Sequence, residues 1–573
     1  MNNGFMHVRR DAKLDVIALS LLILALALPR LTALDRYVTV DEPTWLMNSA
    51  NFYQALWTGN WKDTYQLEHP GVTITWAGTL GFLWEFPGYV KLVDGQLNKE
   101  NKFREFLTSK GHAAIDLLVA GRAFTALGVI LALLLAFPLM VRLAGWGLAL
   151  LASFLIALDP FFIALTRLLH LDGLVTALMF LSLVAFLCYQ DKGRRRLDLV
   201  ISGVAAGLSW LTKSPAFFLI PFMGLLALIE LFNSWNRKSN LDSRDRAGWK
   251  RVVWRAASPW LAWLVIGWAV FVLFWPAMWV DPIGTLRQVF GGATGYALEG
   301  NSHVTFFAGQ VIEVGQAVWY YYPLSILWRI TPPELIGLLL LVVAFLFPKR
   351  FGISHDHIRM VWVMGLFTLL FVLFITLSHK TADRYQIPVL PASCILAALG
   401  WYALFVGLGK WAAQRFPGAP VSLFIPFLGG VIVFWQLLGV LQTAPYYMNY
   451  YNALLGGDRT APGVMMIGRG EGLDLAARYL NSLPDAGRLN VYAWYGEGPF
   501  SYYFKGNTSV IEENANLDEL LKADYVVIYI HQWQRQTPSK EVLDYFARMK
   551  PVFVARIGNL DYAQVYDMHR PNQ

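Results

Sequence analysis

Asp41 and Glu42 stand side by side just after the first long apolar stretch, ahead of Pro43 and a run carrying Trp45, Phe52, Tyr53 and Trp57. Adjacent carboxylates at such a place have two readings. One is general-base chemistry on an acceptor. The other is a helix start, with Pro43 in the first turn and Glu42 as the cap, acids being favoured at the positive end of a helix. The readings are compatible, because a helix start can orient a catalytic carboxylate. Further along the same loop, Glu68-His69-Pro70-Gly71 is either a Pro-Gly turn or a means of holding His69 near the carboxylates as a hydrogen-bond or phosphate partner.

A third group, Arg167-Leu-Leu-His170-Leu-Asp172, falls where two apolar stretches meet. Ionisable residues at membrane depth are costly, so they are paired or functional. An Arg167–Asp172 ion pair tethering two helices and a direct ligand role both fit. The fourth group is Lys213, in Leu211-Thr-Lys-Ser-Pro215, with Lys380, Arg384 and Tyr385 in His379-Lys-Thr-Ala-Asp-Arg-Tyr. These cations lie at the ends of apolar stretches opposite the basic loops. They either snorkel to headgroups or form a cationic pocket in which an Arg fork and Lys point charges hold a phosphate.

Other signals are weaker. Gly468-Arg-Gly470-Glu-Gly472 has neither dinucleotide nor P-loop spacing and reads as a turn before a helix. His355-Asp-His357 has no companion ligands at a recognised spacing and reads as a solvated loop, so no metal site is assigned, although a requirement for a divalent cation is left open. Cys188 and Cys394 lie in apolar runs and read as small core residues.

The elements that must carry these residues are membrane spans. Of 573 residues 56% are hydrophobic and 15% charged, more apolar surface than one water-soluble core can hide. The composition excludes disorder, collagen-like repeats and a disulfide-stapled scaffold. Hydropathy gives about eleven spans, near 14–34, 116–140, 147–165, 171–189, 198–212, 215–232, 256–275, 334–347, 360–377, 386–407 and 421–441. Lys and Arg collect on one side of them: Arg9, Arg10 and Lys13; Arg142; Lys192 and Arg194–Arg196; a basic loop from Arg237 to Arg255; Lys349, Arg350 and Arg359; Lys410 and Arg415. By the positive-inside rule these are cytoplasmic, which puts the N-terminus inside and the C-terminus outside an integral plasma-membrane protein. The net charge of +8 is then explained by orientation and lipid headgroups, not by nucleic acid. The first span follows a basic segment but lacks a cleavage site, so it reads as uncleaved.

The fold class expected is thus mainly α, polytopic, with a transmembrane catalytic domain over 1–441. Outer loops occupy about 35–113 and 276–332, and a small extracytoplasmic α/β domain occupies 442–573. In that last segment helices are expected at Leu473–Leu483, Leu517–Lys522 and Lys540–Met549. Strands are expected at Val491–Tyr495, Tyr525–Ile530, Val552–Ile557 and Ala563–Tyr566.

Taken in order, Asp41-Glu42, His69-Pro70-Gly71, Arg167 with Asp172, Leu211-Thr-Lys213-Ser-Pro215 and Arg384-Tyr385 followed by Pro388 and Pro391 resemble the GT-C glycosyltransferases of the family 39 type. That family comprises the protein O-mannosyltransferases and lipid A aminoarabinose transferases. Trp275-Pro-Ala-Met-Trp-Val-Asp281-Pro282 is similar to the start of the mannosyltransferases' second large loop. The resemblance implies transfer of a sugar from a polyprenyl-phosphate carrier to an acceptor protein, lipid or glycan on the outer face, with inversion and without a nucleotide. It implies Asp41 as general base supported by Glu42. Lys213, Lys380 and Arg384 would bind the carrier phosphate, with Arg167 as a helper and His69, Asp172 and Tyr385 in the same pocket. The chain departs from the family at Gly71, where a second Pro is usual, and at Gly173, where Ser or Ala is common; the mannosyltransferases' inserted sugar-binding domain is absent from 276–332. A transporter or flippase of a lipid-linked substrate is the competing class, but no inverted repeat is visible and such a protein has no need of the Asp41-Glu42 pair.

Overall fold

A computed structural model describes residues 12–67, 69–238, 246–347, 354–416 and 421–569. Glu68, Arg9, Arg10, Lys349, Arg350 and part of the basic loop, 239–245, lie outside the described residues. Among the described residues, eight helices are long and apolar enough to cross a membrane: Ala12–Leu31, Ala114–Ala144, Leu171–Asp191, Ser214–Ser234, Lys250–Leu273, Asp356–Thr376, Asp383–Arg415 and Ile425–Thr443. Two bent pairs would make ten, Trp146–Ala157 with Pro160–Thr166 at 65° and Tyr321–Arg329 with Pro332–Leu346 at 114°. These pairs correspond to the expected spans at 147–165 and 334–347; proline at the first position of the second member of each explains why the helix restarts instead of continuing. The remaining expected span, 198–212, is the helix Arg196–Thr212, whose 17 residues are short for a crossing.

Helix burial is graded as membrane packing requires. Leu171–Asp191 is enclosed by its neighbours up to its last three residues, whereas Ala12–Leu31 and Ile425–Thr443 turn most of their surface outward. Close crossings depend on small residues. A Cβ on Gly400 would stand 1.9 Å from the Gly337 carbonyl oxygen, so Asp383–Arg415 and Pro332–Leu346 touch backbone to backbone. The segments over 35–113 and 276–332 hold short helices, among them Glu42–Thr58, Val72–Glu85 and Pro282–Glu299, and a two-stranded ribbon of β1 (Thr305–Phe307) and β2 (Gln310–Ile312).

The C-terminal stretch forms a five-stranded mixed sheet of β3 (Asn490–Ala493), β4 (Asn507–Val510), β5 (Tyr525–Tyr529), β6 (Phe553–Ile557) and β7 (Leu560–Asp567), in the order β4-β3-β5-β7-β6. The first three strands are parallel and β7 runs antiparallel to β5 and β6, with Val527 opposite Val565 and a register shift at Ala555/Arg556. The central β5 is the apolar run of the sequence and is buried on both faces. The edge strand β4 was not expected from sequence: Asn-Thr-Ser-Val lacks an apolar face, and it pairs only because β3 offers a parallel partner. Helices Leu473–Asn481 and Lys540–Arg548 fall at the expected places, whereas Leu517–Leu520 is a single turn.

Candidate active site

Asp41 precedes the helix Glu42–Thr58, and its side chain makes no capping bond. It turns instead toward Arg384, whose Nη1 donates to Oδ2, and toward His170, whose Nε2 stands 3.3 Å from the same oxygen. Its carboxylate is 34% exposed, so a ligand can reach it. Burial alone would push Asp41 up, but Arg384 and His170 hold it well below the usual carboxylate range. It is therefore ionised at neutral pH.

Glu42 is completely buried and faces elsewhere. Arg122 donates to both its oxygens, while Thr39 N–H and Oγ1 and the Leu169 N–H fill the remaining acceptor positions at 3.0 Å. Arg122 also holds the carbonyls of Leu34, Arg36 and Tyr37. Neither carboxylate caps the following helix, which corrects the capping expectation. Glu42 is a knot that ties the segment before Asp41 to the helix Ala114–Ala144 and to the turn before Leu171–Asp191.

His170 is the link that sequence reading did not assign. Its Nδ1 lies 3.3 Å from Asp172 Oδ2 while Nε2 faces Asp41, so one imidazole bridges two carboxylates. Burial opposes the proton, yet Asp172 and Asp41 raise His170 above its ordinary value. Lys213, leaving the C-terminal end of Arg196–Thr212 where a cation is favoured, donates to Asp172 Oδ1 at 2.5 Å, and Arg384 Nε lies 3.6 Å from Asp172 Oδ2. Lys213 is 6% exposed, so it does not snorkel. Its Nζ sits 4.4 Å over the Tyr385 ring, and Arg384 lies 5.4 Å over the same ring.

The second loop supplies the opposite wall. Tyr296, on Pro282–Glu299, bonds Tyr385 hydroxyl to hydroxyl at 2.9 Å, meets His69 edge-on at 4.6 Å and lies under Lys380 Nζ. His69 is half-buried with a buried Nδ1 that has no partner among the described residues; burial, with Lys213 adding to it, pushes it down to about 3, so it is neutral. The turn after it is fixed by Gly71, whose N–H donates to the Thr212 carbonyl at 3.1 Å. That bond places the His69 loop against the end of the helix that presents Lys213.

Asp41, His69, Asp172, Lys213, Lys380, Arg384 and Tyr385 therefore gather in one place although the chain separates them by up to 344 positions, joined by His170 and Tyr296. Arg167 does not join them. Its guanidinium donates to the carbonyls of Pro29, Thr32 and Ala33 at 3.1, 2.5 and 2.6 Å and lies over Tyr447, so it ties off the end of the first helix. Of the two readings of Arg167 and Asp172, the ion-pair tether is not formed; Asp172 pairs with Lys213 instead. Among the described residues no group of three or more His, Cys, Asp and Glu is arranged to hold a metal ion.

Residues 103–280 match the family model of the dolichyl-phosphate-mannose-protein mannosyltransferases. That stretch carries Arg167, Asp172 and Lys213, and over it the chain resembles this group of GT-C glycosyltransferases. Among solved structures the chain is similar to ArnT from Cupriavidus metallidurans bound to undecaprenyl phosphate, at 14% identity over 97% of this chain and 98% of that one, with a TM-score of 0.48. It is also similar to the archaeal oligosaccharyltransferase AglB from Archaeoglobus fulgidus in complex with an inhibitory peptide and a dolichol-phosphate, at 12% identity over 98% and 77% of the two chains and a TM-score of 0.45. The S. cerevisiae protein O-mannosyltransferase Pmt1-Pmt2 complex bound to the sugar donor is similar at 17% identity over 48% of this chain and 34% of that one, with a TM-score of 0.34. No curated protein matches the chain.

Proposed function

We propose that the protein is an integral membrane glycosyltransferase that moves a sugar from a polyprenyl-phosphate carrier to an acceptor on the outer face of the membrane, with inversion at the anomeric carbon. The observation that carries this reading is the convergence of Lys213, Arg384 and Lys380 beside a half-exposed, ionised Asp41. The family match over 103–280 supports a lipid-phosphate-linked donor. Orientation follows the basic loops, with the N-terminus cytoplasmic and 442–573 outside.

The chemistry is a single displacement. Asp41 takes the proton of the acceptor hydroxyl, whose oxygen forms the new bond to the anomeric carbon as the bond to the carrier phosphate oxygen breaks. The departing phosphate gains charge, which fixed cations at the site stabilise. Arg384 serves both partners. While it pairs with Asp41 the carboxylate is a weak base, and a phosphate that draws the guanidinium away returns basicity to Asp41. Donor binding thus prepares the base. His170, bridging Asp41 and Asp172, holds the carboxylate in place during the exchange.

Binding of undecaprenyl phosphate to the purified protein in detergent tests the pocket. Arg384→Ala should weaken it about tenfold or more, the usual value of a charge-assisted bond. Unchanged affinity would remove Arg384 from the phosphate site.

A further inference from the structure

The glycine-rich stretch Gly468-Arg469-Gly470-Glu471-Gly472 is a bend before the helix Leu473–Asn481, as its sequence suggests, but it also reaches the site. Its three glycines have φ of +94°, +123° and +82°, a conformation that side chains with a Cβ resist. The loop is held from within: Glu471 accepts the Arg469 N–H at 2.5 Å, and the Gly470 N–H donates to Tyr529 Oη at 2.9 Å, whose own proton goes to the Glu471 carbonyl at 3.0 Å. A Cβ on Gly470 would stand 2.1 Å from the Val38 carbonyl oxygen, so the loop rests on the segment that leads into Asp41.

What this loop delivers is the Arg469 guanidinium. Its Nη2 donates to Asp383 Oδ1 at 2.6 Å. The other carboxylate oxygen, Oδ2, accepts Arg329 Nε and Nη2 at 2.9 and 2.5 Å, and Arg329 is itself anchored by the carbonyls of Met448 and Tyr450 at 3.0 and 2.6 Å. Asp383 is 3% exposed and immediately precedes Arg384, at the head of the 3-10 turn Asp383–Val389 that also carries Tyr385. A buried carboxylate oxygen without a partner takes the nearest cation available. With Oδ1 left open, Arg384, the next residue along the chain, would have a second carboxylate competing with Asp41 for its guanidinium.

We propose that Arg469 is a positioning residue for the donor site: by occupying Asp383 it leaves the Arg384 fork directed at Asp41 and at the carrier phosphate. The C-terminal segment thereby takes part in donor binding without touching the donor. This rests on the reading of Arg384 as a phosphate ligand, and the test keeps the two apart. Undecaprenyl phosphate affinity is measured for the full-length wild type, Arg384→Ala, Arg469→Gln and the double variant, with Arg556→Gln, which breaks an exposed pair with Asp561, as control. Loss on Arg384→Ala tests the earlier reading by itself. The proposal expects Arg469→Gln to bind about tenfold more weakly in the wild-type background, to have no further effect on Arg384→Ala, and to be partly restored by Arg469→Lys. Wild-type affinity in Arg469→Gln, or an equal loss in both backgrounds, would overturn it. If Arg469→Gln does not purify, Arg469→Met, which keeps the length of the side chain without the charge, carries the same comparison.

Discussion

A single histidine pair shows how burial decides charge around the carboxylates. His69 is pushed from 6.5 to about 3 by burial and Lys213, whereas Asp172 and Asp41 raise His170 against the same desolvation. The signs are opposite. A histidine kept neutral contributes fully above the unfolded value of 6.5 and loses that contribution as pH falls toward 3, because the unfolded chain takes up a proton that the folded one refuses. A histidine with a raised value contributes fully below 6.5 and loses it as pH rises through its folded value. Thermal unfolding in detergent should therefore fall less steeply with acidification in His69→Asn than in the wild type, and His170→Asn should lose most of its stability on the acid side. Parallel curves for His69→Asn and wild type would mean that the imidazole is not held neutral. Residue types at Asp41, Lys213 and Arg384 were readable from their position next to apolar stretches. Pairings were not: nothing local tells that Glu42 belongs to Arg122, that Arg167 prefers backbone carbonyls to Asp172, or that His170 joins two acids.

The two departures from the family pattern are explained by how helices and turns meet. Gly71 has φ +60°, and a Cβ there would stand 2.2 Å from the Trp45 ring. Proline, the usual residue, can neither adopt that φ nor donate the N–H that Thr212 accepts. Gly71→Pro should cost roughly 2 kcal/mol or more and release the His69 loop from Lys213. At Gly173 a Cβ would lie 2.3 Å from the Leu165 carbonyl oxygen, since Leu171–Asp191 starts tight against Pro160–Thr166. Gly173→Ser should lower the unfolding temperature by several degrees; an unchanged value would contradict this packing. Most helices were legible because a membrane imposes long apolar runs. The bent pairs were less so: the break at Pro160 interrupts a stretch whose hydropathy reads as continuous, and Tyr321–Arg329, ahead of Pro332, lies outside the apolar stretch 334–347.

The assembled chain brings its C-terminal part onto the site, through Arg469 to Asp383, Tyr503 Oη to the Asp35 carbonyl and Tyr446 stacked on Tyr37. That contact has no signature in sequence, since both partners read as ordinary turn and loop residues. The orientation it requires is open to direct test. Cys188 and Cys394 are both buried, so Lys522→Cys supplies a single accessible thiol. A membrane-impermeant maleimide added to intact cells should label it, and labelling only after lysis would reverse the topology. Catalysis itself calls for a panel of polyprenyl-phosphate sugars offered to purified wild type and Asp41→Asn in detergent, with sugar release as the readout. Release by the wild type, reduced at least about 100-fold in Asp41→Asn although undecaprenyl phosphate still binds, is the predicted result. Equal release by both proteins, or none from any donor by a wild type that binds the carrier, would contradict it.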